Sequence, residues 1–193
     1  MAGVDNSKLQ LRDSVECESP PQKDRKIETT SEQDIPPGSF FHGGKLLRVG
    51  EIDDQECRRQ CQLFFKQFHE SEGFDVDWDS FDYIFSVVNF HWKPYLDEKL
   101  TNDELLKLLI RTAIKEHDAE DERKLELIDY VGANMVPCKG LMYYITFWAK
   151  DLSSTNPEPR LYQAKVRKFC DDISVKMVRE KPKQSASINK ERW

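Results

Sequence analysis

Apolar residues are sparse before Phe40 and recur with helical spacing soon after it. Between residues 52 and 72 an apolar residue returns every three or four positions, as expected for one face of a helix: Cys57, Cys61, Phe64, Phe65 and Phe68. Asp53 or Asp54 can accept hydrogen bonds at the start of this helix, and Gly73 can end it. The pattern predicts a helix over residues 52–72 with both cysteines packed on its apolar stripe.

A second helical pattern begins at Thr101. Thr101 and Glu104 have the spacing of a capping box, in which each side chain binds the backbone N–H of the other residue. The residues that follow place an apolar stripe on one face: Leu106, Leu109, Ile110, Ala113, Ile114 and His117. Residues 118–124 are too charged to continue that stripe inward. The pattern therefore predicts one amphipathic helix after residue 101.

The rest of the chain carries strand-like runs without an intervening helix. These runs are 125–136, 141–150, 161–169 and 173–178, with Pro137 and Gly140 bracketing the first turn and a polar loop at 153–159. Consecutive strands joined only by turns form an antiparallel meander. The predicted fold class is α+β, with one helix across a curved antiparallel sheet of four or five strands and an added N-terminal helical segment.

Residues 74–100 are rich in aromatic and acidic side chains. Asp75, Asp77 and Asp79 have the spacing that opens a calcium loop, but residue 80 is serine rather than glycine and no glutamate follows at 86. We therefore expect these carboxylates to lie on the solvent-exposed side of an aromatic segment. A short strand is predicted over 84–90. Whether residues 40–100 add a strand to the sheet or form a separate lobe is left open.

The organisation follows from these patterns and from composition. Only 38% of the 193 residues are hydrophobic and 33% are charged, so part of the chain is expected outside a core. We expect a disordered leader over 1–39, a helical and aromatic extension over 40–100, the helix-and-sheet domain over 101–180 and a loose tail over 181–193. A net charge of −6 argues against a nucleic-acid binder.

Apolar runs, cysteine spacing and known motifs give expectations about the compartment and the cofactors. No run of 18 apolar residues and no secretory signal is seen, so a cytoplasmic or nuclear protein with no membrane span is expected. The five cysteines (Cys17, Cys57, Cys61, Cys138 and Cys170) include no CxxC pair, which predicts reduced thiols and no metal site. No nucleophile motif, phosphate loop or dinucleotide fingerprint occurs. We therefore expect no catalytic residues, no cofactor and no enzyme activity.

The helix sequence at 109–118, LIRTAIKEHD, resembles the plant cystatin helix signature Leu-Ala-Arg-Phe-Ala-Val-x-Glu-His-Asn. The runs 125–128, 142–151 and 162–166 resemble cystatin strands in the same order and spacing. The block at 70–77, ESEGFDVD, resembles the larger cystatin-related proteins of crucifer plants, which have a long N-terminal extension and no firmly assigned activity. The resemblance covers residues 101–180 and implies the cystatin-like fold of the cystatin/monellin superfamily.

Cystatins block papain-like cysteine proteases with three backbone segments: an N-terminal strand with a glycine, a first hairpin loop with Gln-x-Val-x-Gly and a second with Pro-Trp. The resemblance places the first loop at Val136, Pro137, Cys138, Lys139 and Gly140, of which only the glycine is kept. The second falls at Cys170 and Asp171, where a carboxylate replaces the aromatic anchor. The expected glycine about twenty residues before the helix is absent.

Two functions are open on this sequence. The first is a non-catalytic protein-binding module on a cystatin scaffold whose inhibitory loops are largely lost, since a shared fold does not establish a shared function. The second is inhibition of a papain-like cysteine protease. Either way the expected partner is a protein; its identity and the oligomeric state are not predicted.

Overall fold

The computed structural model describes residues 39–42, 45–51, 53–121 and 124–183. The predicted leader, apart from Ser39, and residues 184–193 of the predicted tail lie outside the described residues. Among the helices in the described ranges, none is both long and apolar enough to cross a membrane.

The predicted amphipathic helix is α2 (Asn102–Asp121). Its capping box forms as predicted, because the Thr101 N–H donates to Glu104 Oε2 at 2.9 Å and the Glu104 N–H donates to Thr101 Oγ1 at 3.3 Å. The predicted apolar face is buried along its whole length, and Leu105 joins it. The helix runs through the charged stretch to Asp121, and the Asp118 carboxylate accepts from the Leu125 N–H where the next strand begins.

A five-stranded antiparallel sheet packs against α2. Its strands lie in chain order: β3 (Val88–Asn89), β4 (Leu125–Cys138), β5 (Gly140–Asp151), β6 (Pro159–Phe169) and β7 (Asp172–Glu180). One face of the sheet forms a core with α2, and the largest side chains there include Tyr143, Phe147 and Tyr162. The prediction of an α+β fold with a helix on an antiparallel sheet is confirmed, and each of the four predicted strand runs is present.

The opposite face of the sheet is covered by a second layer. This layer contains a β-hairpin, β1 (Ser39–His42) with β2 (Lys45–Arg48), the helix α1 (Gln55–Glu70) and the 3-10 turn Trp78–Ser80. A second 3-10 turn, Phe90–Trp92, contributes Phe90 to the core under α2 and Trp92 to the second layer. Its own core joins Phe64, Trp78, Phe81 and Val87. Asn134 and Tyr144 are partners across β4 and β5, next to the inward pair Met135 and Tyr143. Because neighbouring strand residues point to opposite faces, Asn134 and Tyr144 point into this second layer.

The second layer is tied to the sheet by polar as well as aromatic contacts. The indole Nε1–H of Trp78 donates to Asn134 Oδ1 at 2.8 Å, and Asn134 Nδ2 donates to the carbonyls of Gly73 and Phe74 at 2.8 and 3.1 Å. The Tyr144 ring meets the rings of Phe68 and Phe74 edge-on at 5.6 Å. Residues 72–81 are therefore fixed to the outer face of the sheet.

The helix α1 differs in detail from its prediction. Asp54 caps it by accepting from the N–H groups of Glu56 and Cys57 at 3.0 Å, which confirms one of the two predicted caps. The buried face is centred on Gln60, which is 2% exposed, and on Phe64. Phe65 is 45% exposed, so its place on the predicted apolar stripe is wrong. Gln60 is buried because Asp82 lies beside it: the Asp82 N–H donates to Gln60 Oε1 at 2.7 Å.

Three further differences concern the borders of the predicted segments. The strand predicted over 84–90 is only Val88–Asn89, and the hairpin of β1 and β2 was not predicted. Residues 40–100 supply both an edge strand of the sheet and the layer behind it, which answers the question that the sequence left open. Lys181, assigned to the loose tail, is held by an ion pair with Asp75 at 2.8 Å.

Candidate functional site

The two hairpin loops singled out in the sequence lie side by side at one end of the sheet. The first joins β4 to β5 and the second joins β6 to β7, and β5 pairs with both β4 and β6. The contact is close at Gly140, where an added Cβ would clash with the backbone carbonyl of Lys168. Gly140 also has a φ of +90°, which side chains disfavour. Glycine at position 140 is thus required by the packing of the two hairpins.

The tips of these loops are charged and exposed. Lys139 lies over the Phe169 ring, with Nζ 5.4 Å from the ring centre. Lys168 Nζ donates to the carbonyl of Cys170 at 2.8 Å, and Cys170 has a left-handed φ of +52°. The Asp171 side chain is 97% exposed and reaches only a distant ion pair with Lys99, at 4.0 Å. The second loop therefore presents a solvated carboxylate at its tip.

A third segment, residues 93–100, lies at the same end and was not singled out from the sequence. Asp97 binds Lys168 of the second hairpin at 2.7 Å, and this contact holds the pKa of Asp97 down at about 2. The Asp97 carboxylate also accepts from the N–H groups of Lys99 and Leu100. These bonds fix the segment against the second hairpin before α2 begins.

The Tyr95 side chain is 93% exposed, and its φ of +54° lies in the left-handed region. The backbone on either side is held by one side chain: Asn102 donates to the Lys93 carbonyl at 2.5 Å and accepts from the Leu96 N–H at 3.1 Å. Non-glycine residues in this conformation are strained and persist where the surroundings fix them. The loop therefore presents an aromatic ring to solvent from a rigid backbone.

Val136, at the start of the first loop, does not face solvent freely. It is half-buried and packs against the second core, whereas Pro137, Cys138 and Lys139 are exposed. Val88 pairs antiparallel with Met135, so the residues before Val88 run toward the end of the sheet that carries the two hairpin loops. Val87 is buried there in the second core. The segment that would correspond to the N-terminal strand of a protease wedge is thus packed into the protein.

The cysteine thiols differ in exposure between the hairpin loops and α1. Cys138 and Cys170 are free and exposed, whereas Cys57 is half-buried in α1 and burial raises its pKa. Within the described ranges, no three His, Cys, Asp or Glu side chains are grouped closely enough to hold a metal ion. Asp75 and Asp77, from the calcium-like spacing, instead contact Lys181 and the Ser80 hydroxyl.

No family model matches this chain, and no curated protein matches it either.

Proposed function

We propose that this chain is a cystatin-like protein that acts as a non-catalytic protein-binding module through its hairpin end, formed by residues 93–100, 136–140 and 168–171. The sheet order supports the scaffold assignment: an edge strand, then one helix, then four strands joined in sequence, with two hairpins meeting at one end. This is the arrangement that the sequence resemblance to plant cystatins implies. The observation that carries the functional part is the packing of half-buried Val136 against the second core.

A cystatin wedge needs its first loop and its N-terminal strand free to enter a cleft. Here Val136 and Val87 both pack into the layer that contains α1, so these two segments are already engaged within the chain. The second loop would bring Asp171 into the cleft, where an unpaired carboxylate loses its hydration at a cost. These three features argue against insertion into a papain-like active site.

The same end is well suited to a different protein partner. Binding energy in protein interfaces concentrates in a few large anchors, among which Tyr is favoured. Tyr95 and Phe169 are exposed, and the ion pair of Asp97 with Lys168 joins the two segments that present them. Because the loops are already ordered, little conformational entropy would be lost on association. The partner chemistry favoured here is a surface with an apolar pocket for an aromatic ring.

Titration of papain activity with the full chain tests the proposal. We expect no inhibition at concentrations of about 100 µM, which corresponds to a binding free energy weaker than about −5.5 kcal/mol. Inhibition at nanomolar concentration would overturn it and establish the alternative, a papain-like protease inhibitor. The observation that favours this alternative is the direct contact between the two hairpins, which places both loops where one cleft could meet them.

Restoring the loops gives a second test with an internal control. One variant carries the second-loop changes alone, Cys170→Pro with Asp171→Trp. A second variant adds the first-loop changes Val136→Gln, Pro137→Val, Cys138→Val and Lys139→Ala. If the second layer blocks the wedge, neither variant inhibits papain, although cooperative unfolding shows that both variants are folded. A folded variant that inhibits at nanomolar concentration would show that the loop sequence alone had removed inhibition.

A further inference from the structure

A groove of about 610 Å³ lies between α2 and the first half of β4. Its floor is apolar and is formed by Ile114 of α2 with Leu125, Leu127 and Ile128 of β4. Ile128 is 47% exposed although it is a large aliphatic residue. Leu125 pairs with Asp151, thirteen residues before the first hairpin turn, so the groove lies at the end of β4 remote from the hairpin end. It is therefore independent of the function proposed above.

One wall of the groove is a row of cations. Lys107, Arg111 and Lys115 line it from α2. A spacing of four residues places them on one side of the helix, about 6 Å apart along its axis. Like charges at this spacing destabilise a helix.

Two of these cations form no ion pair with a carboxylate in the described part of the chain. Lys107 is paired with Asp103 at 2.9 Å, but no described carboxylate lies within 4.0 Å of Arg111 or Lys115. Asp118, which also lines the groove, is engaged by the Leu125 N–H at 3.1 Å. The lining of the groove therefore combines an apolar floor with three cations and one carboxylate, a pattern complementary to an acidic amphipathic ligand.

The geometry of β4 favours a ligand that presents its side chains over one that pairs its backbone with the sheet as an added strand. β3 pairs with β4 only at Asn134 and Met135, so among described strands none covers the outer edge of β4 from Leu125 to Ala133. The pairing of β4 with β5 shifts register twice along this part, between Leu127 and Asp129 and again between Tyr130 and Gly132. Bulges of this kind hinder the addition of another strand. A ligand that presents side chains, rather than its backbone, is favoured.

We propose that this groove binds an acidic amphipathic helix of a partner protein. The apolar stripe of the helix would lie on Ile128 and Leu127, and carboxylates four residues apart would meet Arg111 and Lys115. The match is geometric as well as electrostatic, because carboxylates at i and i+4 of a helix repeat at about the same 6 Å as the cations of α2. This is the recognition of a helix in a groove, with charge fixing its register.

The probe is a fluorescein-labelled 18-residue helical peptide with leucine on one face and glutamate at i and i+4 on both flanks. Its binding to the full-length protein is followed by fluorescence anisotropy. We expect a dissociation constant on the order of 10 µM at low salt, weakening when salt screens the charges. The same peptide with lysine in place of glutamate, and one with serine in place of leucine, should not bind.

Matched variants locate the site. Arg111→Glu with Lys115→Glu should weaken peptide binding at least about tenfold, which corresponds to about 1.4 kcal/mol. The control is Arg58→Glu with Lys66→Glu on the exposed side of α1, which changes net charge by the same amount and should leave binding unchanged. Ile128→Ser should weaken binding with little effect on folding, since the side chain is already half exposed. Urea unfolding confirms that each variant folds.

Three results would overturn the proposal. The first is no binding of the acidic peptide at about 1 mM, which is weaker than about −4 kcal/mol. The second is equal loss of affinity in the α1 control, which would show a general charge effect. The third is binding to phosphatidylglycerol vesicles without binding to the peptide, which would assign the cations to a lipid surface.

Discussion

The replacement Asn134→Ala tests whether the second layer is fixed to the outer face of the sheet. The Asn134 side chain is 4% exposed and uses three hydrogen bonds to join β4 to residues 73–78, about sixty positions earlier in the chain. Alanine removes all three bonds and leaves the Trp78 indole N–H without its acceptor. The same contact holds the layer that buries Val136, so it bears on the proposed loss of inhibition.

The expected cost follows from these bonds. A neutral hydrogen bond contributes about 1 kcal/mol net, and a buried donor left without a partner costs about 1–3 kcal/mol. The three bonds together predict a loss of about 3–4 kcal/mol in the free energy of unfolding. For a domain with a typical stability of about 5–15 kcal/mol, this is a large fraction of the total.

Urea unfolding followed by tryptophan fluorescence measures this loss, because Trp78 reports on the layer and its indole binds Asn134 directly. Asn156→Ala is the matched control: Asn156 is exposed in the loop between β5 and β6, and its replacement should cost less than about 0.5 kcal/mol. A loss below about 1 kcal/mol in Asn134→Ala, with an unchanged slope against urea, would refute the packing of this layer on the sheet.

Three further predictions concern α2, the hairpin end and the thiols. Ile114→Asp buries a carboxylate beneath α2 and should cost at least about 3 kcal/mol, whereas Lys115→Asp on the exposed side should cost less than about 1 kcal/mol in the same urea assay. Tyr95→Gly should be more stable than Tyr95→Ala by about 1 kcal/mol because only glycine adopts a positive φ freely; equal stabilities would contradict the left-handed conformation. Cys138 should react with a thiol reagent at neutral pH before Cys57, whose burial raises its pKa, and the reverse order would contradict their placement.

The helix-and-sheet half of the fold could be predicted because its local signals agree with its packing. The capping box at Thr101 and the apolar stripe through Ile114 are properties of neighbouring residues, and both are realised in α2. The strand runs are apolar and bounded by turn residues, so their order and antiparallel pairing follow from the short connections. The predicted runs stop up to two residues before the observed strands end, as at Cys138 and Glu180.

The second layer could not be predicted in the same way because its contacts join distant residues. The burial of Gln60 depends on Asp82, and that of Asn134 depends on residues 73–78; neither is visible in the spacing of apolar positions. A sheet with one exposed face would alternate apolar and polar residues. In β5 the run from Tyr143 to Phe147 is buried at every position. That uninterrupted burial is the signal of a sheet covered on both faces.

The same comparison explains why the candidate site was only partly foreseen. The loop residues 136–140 and 170–171 were assigned by the resemblance to cystatins, and the structure brings the two loops into contact. Tyr95 was not singled out because one tyrosine in a polar loop has no periodicity to mark it. Its exposure depends on Asn102 and on Asp97, which bind the backbone around it and the neighbouring hairpin.

The packing of Val136 links the added layer to function. In an isolated helix-and-sheet domain, the start of the first hairpin would be exposed to solvent and available to a partner. Once α1 and residues 74–87 cover the outer face, Val136 packs against their core instead. A polar residue such as glutamine at this position would then lose the solvation that it needs, and a small apolar residue is favoured. Valine at position 136 is thus explained by its packing against the core of the second layer.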